Sequence, residues 1–105
     1  MSREVLRVHP ELINDLAEAV AYYGTQDVAL PGRLIEAYVE SLRRIAANPL
    51  IGREYLPGYR RVVALPFPYL LAYVVDDGGV YISALLHTRR DPTAIEAILR
   101  SRPSG

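Results

Sequence analysis

Apolar residues recur with helical spacing in two stretches of the first half of the chain, as on a buried helix face. The first stretch predicts a helix that begins at Pro10 and ends at Gly24 or runs on towards Val28. The second predicts a helix from Pro31 to the Asn48-Pro49 break, because the residue before a proline disfavours helical conformation. The apolar stripes are Leu12, Ile13, Leu16, Val20 and Tyr23 in the first helix and Leu34, Tyr38, Leu42 and Ile45 in the second. The short link between them predicts an antiparallel hairpin.

Beyond Gly52 the chain is rich in β-branched and aromatic residues, which favour strands. Three strands are predicted at 59–65, 69–75 and 80–86, and a short first strand at 5–8 precedes the helices. The segment from Asp76 to Gly79 predicts a tight hairpin, because glycine accepts the positive φ that such turns need. A short helix is predicted at 92–100, and residues 102–105 are predicted to fray.

These elements predict an α+β domain in the order β-α-α-β-β-β, followed by the short helix. The helical hairpin should pack on one face of a small, mostly antiparallel sheet. A chain of 105 residues has room for one domain, which we expect to span residues 1–105.

The composition excludes several kinds of chemistry. The chain has no cysteine, and its two histidines, His9 and His87, lack the spacing of a metal site. No glycine-rich phosphate loop is present either, so we expect neither a metal nor a cofactor. The longest apolar run, from Leu70 to Val75, is too short to cross a bilayer. We therefore expect a cytoplasmic protein with no membrane partner.

The charges are balanced overall but unevenly placed. All 12 basic residues are arginine, and 12 acidic residues oppose them. Residues 1–50 carry five Arg and seven Asp or Glu, whereas residues 51–105 carry seven Arg and five Asp or Glu. The second half is therefore a candidate positive surface, although a genome bias towards arginine codons explains the absence of lysine equally well. Glu40 and Arg44 stand in the favourable order for a helical ion pair.

Three motifs resemble the RelE/ParE toxin superfamily, and its ParE branch most closely. The first is Val8-His9-Pro10 with Asp15-Leu16 and Tyr22-Tyr23, the second is Arg60-Arg61 with Phe67-Pro68-Tyr69 and Tyr73, and the third runs from His87 to Pro92. Each motif alone is unspecific, but their order and spacing extend the resemblance from Val5 to Pro92.

The resemblance implies a toxin of a type II toxin–antitoxin system that is neutralised by a cognate antitoxin in a hetero-oligomer. In this family the C-terminal segment of the antitoxin wraps the toxin along the hairpin and the sheet. We expect it to cover apolar positions of the hairpin, namely Leu12, Leu16, Tyr23, Leu34, Tyr38 and Leu42. ParE-like members are associated with inhibition of DNA gyrase, and RelE-like members cut messenger RNA on the ribosome.

Five residues are candidates for binding the target: Arg60, Arg61, His87, Arg89 and Arg90. Neighbouring strand residues point to opposite faces. Since the set that includes Arg61 is bulkier, we expect it to face the helices and Arg60 to lie on the open face. Leu85 and His87 should share one face, with Leu86 on the other.

A ribonuclease would use His87 as acid or base and Arg90, with Arg61, to stabilise phosphate charge. The structural alternative is that His87 caps the strand end and that Arg89 or Arg90 pairs with Asp91. RelE-like toxins are typically very basic and carry lysines on the strand of Arg60, and they have an arginine where this chain has Leu70. Zero net charge and the absence of lysine therefore favour a non-enzymatic gyrase inhibitor over a ribonuclease. A third reading, an inactive relative that binds only its antitoxin, stays open.

Overall fold

The computed structural model describes residues 5–103. A short strand, β1 (Leu6–Val8), precedes two helices, α1 (Leu12–Gly24) and α2 (Leu30–Ala47). Four strands and a third helix follow, namely β2 (Arg53–Leu56), β3 (Tyr59–Val63), β4 (Tyr69–Asp76), β5 (Gly79–His87) and α3 (Pro92–Arg100). In this part of the chain no helix is both long enough and apolar enough to cross a membrane.

The five strands form one sheet in the order β1-β5-β4-β3-β2. β1 runs parallel to β5, and every other neighbouring pair is antiparallel. Leu12 and Ile45 of the helical hairpin pack on one face of the sheet, which we call the hairpin face. Ile95 and Leu99 of α3 pack on the other, the α3 face. The predicted α+β fold and the order of its elements are confirmed.

The sequence pattern missed β2. This strand has four residues, two of them charged, and its register with β3 shifts between Glu54 and Leu56. The run is too short and too polar to stand out against a loop. The missed signal is Pro57-Gly58, a pair typical of a tight turn, in which Gly58 has a φ of +85°. That turn folds β2 back along β3.

One extra residue in β5 determines which side chains face each helical layer. The register between β4 and β5 shifts at Ser83, which has no partner on β4 and forms a bulge. Before the bulge Ile82 lies in the core of the hairpin face, and after it Leu85 does. Leu86 packs under α3 on the opposite face. The predicted opposition of Leu85 and Leu86 is confirmed, and His87 follows Leu85 onto the hairpin face.

A mostly buried ion pair covers the edge of β5 that β1 leaves open. β1 has only three residues, so the later backbone groups of β5 have no strand beside them on that side. Arg102, which follows α3, donates to both carboxylate oxygens of Asp15 on α1, at 2.6 and 3.0 Å. The same guanidinium donates to the carbonyl of Ser83 at 3.2 Å, and the same carboxylate accepts the N–H of Leu85 at 3.1 Å.

This ion pair links α1, β5 and the segment after α3. The side chains of Arg102 and Asp15 are only 13% and 9% exposed. The hydrogen bond from Arg102 to Asp15 raises the pKa of the guanidinium, so its charge persists wherever the chain is folded. The prediction that residues 102–105 fray is therefore wrong for Arg102; residues 104–105 lie outside the described residues.

A buried tyrosine holds the connection between α2 and β2. The hydroxyl of Tyr73 on β4 donates to the carbonyl of Pro49 at 2.7 Å and accepts the N–H of Gly52 at 2.8 Å. The carbonyl of Gly52 accepts a hydrogen bond from Arg60 at 2.7 Å. A Cβ at position 52 would lie 2.5 Å from the Tyr73 hydroxyl and 2.7 Å from the carbonyl of Arg61. Only glycine fits there without a shift of the backbone.

Replacing Arg102 with methionine would leave Asp15 as a buried carboxylate without its cation. Removing one partner of a buried ion pair costs about 3–5 kcal/mol. We expect Arg102→Met to lower the free energy of unfolding by about 3 kcal/mol in urea denaturation followed by circular dichroism. The matched control is Arg100→Met, because Arg100 is 71% exposed in its pair with Glu96 and should lose less than about 1 kcal/mol. Equal losses of unfolding free energy in the two variants would contradict a stabilising role for the buried Asp15–Arg102 pair.

Gly52→Ala forces a methyl group against Tyr73 and the β3 backbone. Overpacking of this kind costs about 1–3 kcal/mol, and we expect the thermal midpoint to fall accordingly in calorimetry. Gly32→Ala is the control, since a Cβ at position 32 of α2 has no atom within 4 Å. That exchange should raise the midpoint, because alanine is the better helix former by about 0.5–1 kcal/mol. A lower midpoint in Gly32→Ala together with an unchanged midpoint in Gly52→Ala would contradict the steric need for glycine at position 52.

Candidate functional site

The turn after β5 presents two arginines to solvent. The Nδ1 atom of His87 accepts the backbone N–H of Arg89 at 3.0 Å, and the His87 carbonyl accepts that of Arg90 at 3.1 Å. Asp91 pairs with neither arginine, because its carboxylate accepts the N–H of Thr93 at 2.8 Å and caps α3. Both arginines are exposed, and neither forms a salt bridge within residues 5–103. The alternative of an Arg–Asp91 pair is therefore wrong, and we call residues 87–90 the cationic turn.

A row of aromatic rings leads from α1 to the cationic turn. Tyr22 and Tyr23 on α1 have ring centroids 5.1 Å apart, and Tyr23 lies 5.2 Å from Phe67. Tyr23 also lies 6.2 Å from Tyr69, whose ring is 5.2 Å from that of His87. All four contacts are edge-to-face, the arrangement that aromatic quadrupoles favour. The row fixes the position of His87 at the end of β5.

The end of this row borders a groove between α1 and the end of β5. Tyr22 and Glu18 of α1 lie along one side of the groove, and Tyr69, His87 and Arg90 lie along the other. The groove therefore combines aromatic faces, the cation of Arg90 and two acids, Glu18 and Asp15, the second of which is paired with Arg102. Such a set offers hydrogen bonds and apolar contact to a visiting surface.

Two phenols near the groove, those of Tyr23 and Tyr69, have raised pKa values. Burial, followed by the charge of Tyr22, raises the pKa of Tyr23. Burial also raises the pKa of Tyr69, with smaller contributions from the neighbouring tyrosines, and Arg90 lowers it. Neutral phenols donate hydrogen bonds but do not act as bases near neutral pH. Tyr23 and Tyr69 therefore add contact surface and supply no general base.

Arg60 and Arg61 lie on the faces opposite to those predicted. Arg60 shares the hairpin face with Val62, which is buried in the core there, and Arg61 lies on the α3 face. The prediction ran the strand to Leu65 and extended its alternation to Phe67, but β3 ends at Val63. Residues beyond the end of a strand do not report on its alternation.

The two arginines also have different partners. Arg60 donates to the Gly52 carbonyl at 2.7 Å and is part of the α2–β2 connection. The guanidinium carbon of Arg61 lies 4.8 Å from the ring centroid of Tyr55, in a cation–π contact. Arg61 forms no salt bridge within residues 5–103.

The three residues of the ribonuclease hypothesis do not meet. His87 packs against Tyr69 on the hairpin face, and Arg90 lies beside it. Arg61 stacks on Tyr55 on the α3 face, across the sheet from His87. The candidate target-binding residues therefore divide into the cationic turn, which contains His87, Arg89 and Arg90, and the strand arginines Arg60 and Arg61.

The predicted antitoxin-binding positions also divide. Leu12 and Leu34 are 1% and 0% exposed, so the prediction that they contact a partner does not fit the folded chain. Leu16, Tyr23, Tyr38 and Leu42 are partly buried against the core. Ile13, Tyr22 and Ile35 are exposed apolar residues of the hairpin that the prediction omitted. Helical spacing finds the apolar stripe, but it does not separate the centre of the stripe from its rim.

Two ion pairs were not predicted from the sequence. Arg102 lies outside every quoted motif, and nothing in its neighbourhood along the chain indicates Asp15 as its partner. Glu40 forms its ion pair with Arg43, at 3.7 Å, instead of with Arg44 as predicted. Either partner is within one helical turn, so spacing alone does not choose between them.

The helical hairpin and the third helix thus lie on opposite faces of a five-stranded sheet, and the cationic turn follows its last strand. Residues 6–92 match the family described as ParE toxin of type II toxin-antitoxin system, parDE. The chain therefore belongs to the ParE toxin family, and the predicted resemblance is confirmed. Membership in a type II system implies an antitoxin partner.

Toxin ParE2 of Mycobacterium tuberculosis is similar to this chain along almost its whole length. The protein from strain CDC 1551 / Oshkosh is 33% identical over 98 residues, which are 92% of this chain and 93% of the relative. Toxin ParE2 from strain ATCC 25618 / H37Rv gives the same values. The family match over residues 6–92 spans both helices of the hairpin and every strand.

The raised tyrosine pKa values predict a loss of stability in alkaline solution. Burial raises the pKa of Tyr38, as it does for Tyr23, Tyr69 and Tyr73. A raised pKa means that the unfolded chain loses its phenolic protons first, so the free energy of unfolding falls as pH rises above about 10. Urea denaturation at neutral and alkaline pH should show a smaller fall for Tyr38→Phe than for the unchanged protein. An identical fall in both proteins would refute the contribution of Tyr38.

Proposed function

We propose that this toxin acts by binding DNA gyrase and blocking supercoiling, and that it is not a ribonuclease. The observation that carries the proposal is the separation of Arg61 from His87 and Arg90 by the thickness of the sheet. Metal-free RNA cleavage needs an acid, a base and a cation around one phosphate. Here the raised pKa values of Tyr23 and Tyr69 disfavour these phenols as the base, and Arg61 lies on the other face of the sheet from His87.

The cationic turn suits a docking role. Arg89 and Arg90 are exposed and lack acidic partners within the described part of the chain, and Arg90 borders the aromatic groove. Arginine and tyrosine are the side chains that contribute most often to the energetic centres of protein interfaces. A protein target is thus favoured over a general nucleic-acid surface, in line with the zero net charge of the chain.

The antitoxin is proposed to cover the exposed apolar rim of the hairpin in the cytoplasm. Ile13 and Tyr22 of α1 are 66% and 56% exposed, and Ile35 of α2 is 41% exposed. Leu16, Tyr38 and Leu42 lie partly open at the edge of the same helices. An apolar segment of the antitoxin would bury these side chains, and removal of their apolar surface from water would stabilise the complex.

Purified gyrase provides the test. We expect the toxin to inhibit supercoiling of plasmid DNA, and an Arg89→Ala, Arg90→Ala double variant to need about tenfold more protein for the same inhibition. The matched control is Arg33→Ala, which removes an exposed arginine on α2, away from the groove. Circular dichroism of each variant checks that the fold is kept.

Cell-free translation distinguishes the alternatives. If translation stops while supercoiling proceeds, and His87→Ala restores it, the ribonuclease hypothesis replaces the gyrase proposal. If neither process is affected while the toxin still co-purifies with the protein encoded beside it, the chain is an inactive antitoxin-binding relative.

A further inference from the structure

The sheet has a second open edge, on β3, that the ion pair of Asp15 and Arg102 does not reach. β2 pairs with β3 only as far as Arg61, so no strand lies beside the last residues of β3 within residues 5–103. The N–H of Ala64 donates to the carbonyl of Tyr69, towards β4, at 2.8 Å. Because backbone groups alternate along a strand, the N–H and carbonyl of Val63 point to the open side.

Three arginines surround this edge. Arg53 and Arg61 are direct neighbours across β2 and β3, so their side chains share one face of the sheet. Arg44 reaches the same cleft from the last turn of α2, since Glu40 pairs with Arg43 and leaves Arg44 free. None of the three forms a salt bridge in the part of the chain that the structure describes.

This arrangement works against the stability of the sheet. Like charges directly opposite each other on neighbouring strands are destabilising. The contact with Tyr55 holds the guanidinium of Arg61 on the face of the sheet that it shares with Arg53. Among residues 5–103 no acidic side chain lines the cleft to offset the repulsion. A cost of this kind, left without an acidic partner in the described part of the chain, is typical of a binding site.

The remaining walls of the cleft are apolar. Ile51, Val62, Val63 and Leu65 line it together with the arginines. Leu65, two residues beyond the end of β3, is 75% exposed and offers apolar contact beside the open edge. The cleft thus offers cations, apolar contact and free backbone groups at one place.

We propose that this cleft, the β3-edge site, binds an extended acidic segment of a partner protein, which adds a strand alongside Val63. Backbone hydrogen bonds to β3 would supply general affinity, and carboxylates paired with Arg44, Arg53 and Arg61 would supply selectivity. The proposal goes beyond the gyrase and antitoxin assignments, because it depends on neither partner being correct.

A polypeptide fits the site better than a nucleic acid. Phosphates would use the three arginines but would leave the strand edge and the exposed Leu65 without partners. An acidic strand uses all three features of the cleft. Alternatively, the arginines could only keep the strand edge from pairing with other chains. In that case their removal would cause self-association and would leave the affinity for an acidic peptide unchanged.

The first experiment measures thermal stability. If repulsion between Arg53 and Arg61 is real, Arg53→Gln should raise the unfolding midpoint of the full chain, by about 2 °C. Arg33→Gln, which removes an exposed arginine far from the cleft, should leave the midpoint unchanged. A lower midpoint in Arg53→Gln would show that the arginine is structural and would overturn the proposal.

The second experiment measures binding by fluorescence anisotropy. The probe is a short fluorescein-labelled peptide in which glutamate alternates with valine, because alternate side chains of an added strand face the same way. We expect it to bind the full chain, and Arg61→Gln or Arg53→Gln to weaken binding by about tenfold, while Arg33→Gln has no effect. The same peptide with glutamine in place of glutamate, or with N-methylated backbone amides, should bind much more weakly.

Four results would overturn the β3-edge site. The first is an affinity for the glutamate peptide that is the same in Arg53→Gln, Arg61→Gln and Arg33→Gln. The second and third are binding of the glutamine peptide, or of the N-methylated peptide, as tight as that of the glutamate peptide. The fourth is displacement of the probe by a single-stranded oligonucleotide at the same concentration as unlabelled peptide. Self-association of Arg53→Gln in analytical ultracentrifugation, with peptide affinity unchanged, would assign the arginines to edge protection instead.

Discussion

The ion pair of Asp15 and Arg102 lies where the chain most needs polar partners. β1 is shorter than β5, so the sheet would otherwise end in unpaired backbone groups beneath α1. Arg102 and Asp15 supply those partners, and each side chain comes from a different side of the sheet. The helical hairpin and α3 are thereby linked through a single edge of β5. The packing of both faces, and with it the position of the cationic turn, depends on this link.

Most of the fold follows from local patterns. Helical periodicity and the Asn48-Pro49 break locate the hairpin, and the Asp76–Gly79 turn locates β4 and β5 almost to the residue. The elements that escaped prediction are held by distant contacts or by single turns. β2 exists because β3 lies beside it, and Arg102 is ordered by a residue 87 positions away. Neither relation is visible in a window of sequence.

The candidate site was predictable in its composition and not in its geometry. The motif from His87 to Asp91 located a solvent-exposed turn, since the end of a buried strand followed by two arginines has to reach solvent. The faces of Arg60 and Arg61 were assigned wrongly because the strand stops at Val63. The bulky side chains on which that assignment was based, Leu65 and Phe67, lie beyond its end. Alternation is a reliable rule only within the true limits of a strand.

The bulge at Ser83 has a consequence for comparisons between members of the family. A single inserted residue exchanges the hairpin face and the α3 face of β5 from that point to its end. An alignment that places a one-residue gap inside this strand would therefore match positions under the helical hairpin of one toxin with positions under α3 of another. Corresponding residues near the groove are better identified by the helical layer they touch than by counting along the chain.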